Sequence, residues 1–73
     1  MEILAEDHFF YTLSRNTSAE YILETVCGTS AVFTITIKLT RAEIEKFESD
    51  PQSIRVLAQD IVDHPREYLN RRI

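Results

Sequence analysis

The chain has 73 residues, 44% hydrophobic and 27% charged, with one cysteine, one glycine and a formal net charge of -4. That length supports one hydrophobic core, so residues 1–73 are expected to form a single small α+β domain. A lone cysteine excludes an internal disulfide, no apolar run approaches the roughly 20 residues that span a bilayer, and the acidic start "MEILAEDHFF" lacks the basic and apolar regions of a signal peptide, so a reducing cytoplasm is the expected setting.

In chain order, "EILA" reads as a short first strand or an extended arm, and "HFFYTL" as a strand near residues 9–13. The polar turn "SRNTSA" leads into a strand near 20–27, "AEYILETVC". The connection "GTSA", in which Gly28 can take a positive φ, then leads to "VFTITIKL", a strand near 31–39. This last segment alternates strictly: Phe33, Ile35, Ile37 and Leu39 share one face, and Val32, Thr34, Thr36 and Lys38 the other. Its β-branched residues favour the pleated, half-buried surface of a sheet.

The period then changes to helical. Thr40 and Glu43 have the spacing of a capping box, and Leu39 and Ile44 that of a hydrophobic staple, so a helix is expected over 41–49 with Ile44 and Phe47 inward. Asp50 followed by Pro51 repeats the start signal for a helix over 52–63. Its apolar stripe is Ile54, Leu57, Ala58, Ile61 and Val62. His64-Pro65 ends or kinks it, and "REYLNRRI" forms a final short turn or helix with Tyr68 and Leu69 available to pack. Strands followed by helices predict an α+β fold: an antiparallel meander of three or four strands, then two or three helices packed on one face of the sheet.

Residue types capable of chemistry are few. Cys27 has no neighbouring base or cation in sequence, and parity sets it on the opposite sheet face from His8, so it reads as a buried strand residue. Asp60, Asp63 and His64 have metal-ligand character, but Pro65 interrupts the helix that would align them, and no metal or cofactor site is expected. Glu43, Glu45, Glu48 and Asp50 read as solvated charges, and three helical segments over one small sheet leave little room for an enclosed substrate pocket. Residues 1–50 hold nine acidic and four basic side chains. That balance repels phosphate, and the one basic group, Arg66, Arg71 and Arg72, reads as a solvated helix face.

The sheet's second face remains. Period-two parity directs Phe9, Tyr11 and Leu13 inward with Tyr21, Leu23, Thr25 and Cys27, and turns His8, Phe10, Ile22 and Val26 outward. The outward set Phe10, Ile22, Val26 and Val32, edged by Glu24, is the expected contact surface for a protein partner or a second copy, unless a terminus folds across it. The expected function is therefore that of a small non-catalytic interaction domain: homodimer, subunit, adaptor or inhibitor, with no nucleic acid, membrane or small-molecule substrate. A thiol enzyme centred on Cys27 is the second reading, and nucleic-acid binding through the C-terminal arginines the third.

Overall fold

The computed structural model describes residues 2–7, 9–27 and 33–73. Four strands, β1 (Glu2–Asp7), β2 (Tyr11–Arg15), β3 (Tyr21–Cys27) and β4 (Phe33–Lys38), form one antiparallel meander in sequence order. Two α-helices follow, α1 (Arg41–Ser49) and α2 (Ser53–Asp63), and then a 3-10 segment, Pro65–Arg71. The fold is the α+β arrangement read from the sequence, with "EILA" at the start of a full strand rather than a loose arm.

Cross-strand register sets the core. Leu13, Leu23 and Ile37 stand opposite one another on β2, β3 and β4, as do Tyr11, Thr25 and Ile35. All six are buried on the face that receives Ile54, Ala58 and Ile61 of α2. Those three are the inner positions of the helical stripe, while Leu57 and Val62 flank them half-buried. Fully burying a large apolar side chain contributes about 1.5–3 kcal/mol, so this cluster is the main stabilising element of so short a chain.

The turns are built by local chemistry. Between β2 and β3, the Asn16 carboxamide oxygen accepts from the Ser18 and Glu20 amides, each at 3.0 Å, and the Ala19 amide closes onto the Asn16 carbonyl. Between β1 and β2, the Phe10 amide donates to the Asp7 carbonyl at 2.9 Å, and Phe9 is held at φ 62°. The expected strand at 9–13 therefore begins two residues later, at Tyr11. Strand parity does not carry through a turn, so Phe9, expected inward, is 83% exposed. The "GTSA" connection and Gly28 lie outside the described residues, although Cys27 opposite Phe33 shows that β3 and β4 pair as a hairpin.

Thr40 caps α1 as its sequence predicts: its hydroxyl accepts from the Glu43 amide at 3.3 Å, and the Glu43 carboxylate accepts from the Thr40 amide at 2.9 Å. The second start signal acts differently from expectation. Asp50 accepts from the Gln52 amide at 3.2 Å, but Pro51 and Gln52 form a turn and α2 begins only at Ser53, because Asp50 is still closing α1 through its own amide.

α1 has no fully buried residue, and Ile44 and Phe47 pack only partly against the core. A polar latch adds to that hold. The Arg71 guanidinium donates to both Glu43 oxygens, at 2.6 and 3.1 Å, and to the Lys38 carbonyl at 3.2 Å, and it lies over the Tyr68 ring at 5.6 Å. Tyr68 is buried as expected, whereas Leu69 is 45% exposed, since successive side chains on a 3-10 turn of three residues point in different directions. Beyond the latch, Ile37 bridges to Arg72 and the Ile73 amide donates to the Thr36 carbonyl, so the C-terminus closes the outer edge of β4.

Two outcomes follow. Among the described residues the Thr25 hydroxyl is the one buried side-chain polar atom without a hydrogen-bond partner. Removing such a group relieves a desolvation cost, so Thr25→Val is expected to raise unfolding stability by about 1 kcal/mol in urea titrations. Burial pushes the Glu43 carboxyl up, but hydrogen bonds from Arg71 and Thr40, with the Arg71 charge, outweigh it and hold the group below its ordinary 4.5. A lowered carboxyl stabilises the fold above its unfolded pKa and loses that contribution as pH falls through the folded value. Glu43→Gln should therefore flatten the loss of stability below about pH 4.5 and cost about 1–2 kcal/mol at neutral pH, measured by denaturation at pH 3, 5 and 7.

Candidate functional site

The helices cover one face of the sheet, and among the described residues no element lies across the other. N-terminal residues 2–7 form the edge strand β1, and the C-terminus pairs beside β4, so neither folds over that face. Its side chains come in rungs. Glu6, Thr12, Glu24 and Thr36 stand in register on β1 to β4. Ile3, Ser14, Ile22 and Lys38 form the next rung, and Val26 faces Thr34 on the other side. Ser14 is buried between Ile3 and Ile22, its small side chain overtopped by its neighbours.

Among the expected contact residues, Ile22 and Val26 lie on this face half-buried and Glu24 lies on it exposed. Phe10 stands at the margin of the face, bordering a hollow beside Val26, while its ring packs towards the helical side, edge-on to the Tyr11 ring at 5.3 Å and beneath the Arg55 guanidinium at 5.5 Å. Arg55, on α2, also pairs with Asp7, so the turn folds Phe10 towards the helices. Val32, the remaining residue of the set, and His8 lie outside the described residues. Ile3, half-exposed on the edge strand, is an addition that parity could not supply: alternation would set it on the face of Ala5, and only the register shift between Ile3 and Ala5 brings it beside Ser14 on the open face.

Phe9 is the other addition. It stands with Val26 and the residues at the turn, Asp7, Phe10 and Tyr11, beside Glu6, Thr12 and Glu24 around that shallow hollow of about 110 Å³. A non-glycine residue at positive φ costs on the order of 1 kcal/mol, and a bulky one is uncommon there. No sequence signal marks it, since an aromatic residue next to a strand reads as core.

Charge on this face is acidic. Lys38 is paired to Glu20 at 2.8 Å, and its hydrogen bond, together with one from Asn16, holds the Glu20 carboxyl below its ordinary range. Among the described residues no cation pairs with Glu6 or Glu24.

No protein family, characterised protein or solved structure matches this chain. Its residues therefore carry the functional reading alone.

The other sequence candidates are placed as follows. Cys27 is buried, its thiol pushed up by that burial, with the Thr25 carbonyl at 3.8 Å as its polar neighbour. A nucleophilic thiol needs the opposite, a lowered pKa and access. Arg71 is consumed by the latch, which leaves Arg66 and Arg72 as exposed cations at the C-terminal end. Glu43 serves the latch and the cap, while Glu45, Glu48 and Asp50 are exposed. Between α1 and α2 lies an open groove of about 320 Å³, lined by Ile54, Val56 and Leu57 with Glu43, Lys46, Ser53 and Asp60, concave but not enclosed. No helix among the described residues is long and apolar enough to cross a membrane.

Cys27→Ala is expected to cost about 1–2 kcal/mol from lost burial and to leave any association intact. Alkylation of the thiol should be slow in the native protein and fast once it is unfolded; rapid native labelling would return the thiol to consideration as a nucleophile.

Proposed function

We propose that this chain is a protein-interaction domain that docks a partner through the open face of its sheet. The observation that carries the reading is the one-sided helical cover. It leaves Ile3, Ile22 and Val26 on an uncovered face with Phe9 at the margin, 83% exposed and held at a positive φ that a glycine would fill more easily. Side chains of this kind surrounded by polar groups are the composition of an interface patch rather than of an ordinary solvated sheet.

The threonine and glutamate rung favours one kind of partner. Among the described residues Glu6 and Glu24 have no cationic partner, so a protein presenting Lys or Arg around an apolar centre is complementary to this face in charge. A second copy stacked face to face would bring an acidic rung towards its equivalent, which sets charge against a homodimer. The thiol-enzyme reading draws no support from a buried Cys27 with a raised pKa, and nucleic-acid binding draws none from an acidic open face.

Variants separate binding from folding. Phe9→Gly should leave stability unchanged or raise it by up to about 1 kcal/mol, while weakening association. Val26→Lys should abolish association with the helical circular-dichroism signal intact. Cross-linked capture with wild type should recover a basic protein that both variants lose, that Arg66→Ala and Arg72→Ala retain, and whose association slows as salt is raised. Sedimentation should show the wild type monomeric. A wild-type dimer dispersed by Val26→Lys would replace this partner with a second copy, and recovery of the same proteins by wild type and Val26→Lys would overturn the reading.

A further inference from the structure

The C-terminal end of α2 brings together three side chains that the sequence spreads over eight positions. α2 ends at Asp63, His64 leaves the helical region at φ -135° and ψ 59°, and Pro65 starts the 3-10 segment. In a continuous α-helix Asp60 and Glu67 would be about 10 Å apart along the axis. The break at Pro65 changes that separation. One ligand atom from each of Asp60, His64 and Glu67 lies within 4.8 Å of the others.

We propose that Asp60, His64 and Glu67 bind a divalent transition-metal ion, with Zn²⁺ as the best-fitting chemical class. Imidazole nitrogen and carboxylate oxygen are both zinc ligands, and three protein ligands leave the fourth position to water or an outside ligand. Zinc bonds of about 2.0–2.2 Å in a tetrahedron separate ligand atoms by roughly 3.3–3.6 Å. His64 Nδ1 and Asp60 Oδ1 already stand 3.2 Å apart, and Glu67, exposed on the 3-10 segment, closes the remainder by side-chain rotation. The hard cations Mg²⁺ and Ca²⁺ prefer all-oxygen cages and gain little from the imidazole.

A second feature supports the site from outside the donor set. The hydroxyl of buried Tyr68 donates to the other Asp60 oxygen, Oδ2, which fixes the carboxylate so that Oδ1 faces His64. Metal-binding carboxylates are commonly oriented by such outer contacts. Asp60 also lines the groove between α1 and α2, so a metal here has concave space beside it for an outside ligand. The side chains of Asp60 and His64 are 47% and 58% exposed, which leaves the ion open to solvent. The site is independent of the open sheet face, because α2 and the 3-10 segment lie on the opposite side.

The test is titration of the full chain with ZnCl₂ by calorimetry, followed in parallel through the His64 ring resonances by NMR. One equivalent should bind saturably and shift His64. His64→Ala and Glu67→Gln, both at exposed positions, should each weaken binding at least tenfold with unchanged circular dichroism. Tyr68→Phe should weaken it about tenfold as an orienting contact, whereas His8→Ala should leave it unchanged. MgCl₂ should give no saturable heat. Absence of saturable Zn²⁺ binding, loss of binding in His8→Ala, or affinity untouched by both His64→Ala and Glu67→Gln would each overturn the proposal.

Discussion

Leu13, Leu23 and Ile37 stand opposite one another on three adjacent strands, and none of the three is exposed. That rung governs the rest of the molecule. A strand slipped by one residue would move its whole apolar set to the other face, so burying this rung beneath α2 fixes the register of every strand that pairs with it. It also decides which side chains face away from the helices. The Glu6, Thr12, Glu24 and Thr36 rung is the necessary complement of the buried one, and the open face has its composition because the core took the alternate positions.

With a single layer of helices available, coverage is allotted unequally. α2 places three residues fully in the core, whereas α1 places none and is held through the Thr40 cap and the contact between Glu43 and Arg71. One carboxylate thus joins a helix start to the chain's last segment, and the same segment supplies Tyr68 to the core and Arg72 to the edge of β4. The C-terminus is integral to the fold, as the packing residues in its sequence suggest. This construction spends the helices and the C-terminus on one side and one edge, and leaves the second sheet face to the solvent or a partner.

Two breaks in regular structure create the features on which the proposed interface and metal site rest. A turn between Asp7 and Phe10 sends one phenylalanine towards Arg55 and the helices and the other to the margin of the open face. At the far end, the break at Pro65 turns an interrupted helix into a cluster of convergent donors. In both places a regular element would have separated the side chains that the irregular backbone assembles.

Much of the architecture was legible in the residues themselves, because it depends on local chemistry. Period-two alternation in "FTITIK", the Thr40 and Glu43 capping box and the stripe of Ile54, Ala58 and Ile61 each express a backbone geometry that neighbouring residues enforce. The inward parity of Tyr11, Leu13, Leu23, Thr25 and Cys27 was legible for the same reason, and with it the placing of Ile22, Val26 and Glu24 on the open face. Tertiary structure alone decided the rest. Phe9 and Phe10 are chemically identical neighbours, and only the turn's positive φ and the position of Arg55 distinguish the exposed ring from the packed one. Arg71 reads as one cation among three until Glu43, 28 residues away, claims it. Pro65 reads as the end of any alignment of Asp60 with His64, yet the direction in which the chain leaves the helix brings Glu67 back to them. That direction is set by Tyr68 entering a core built from strands far away in sequence, which no local pattern encodes.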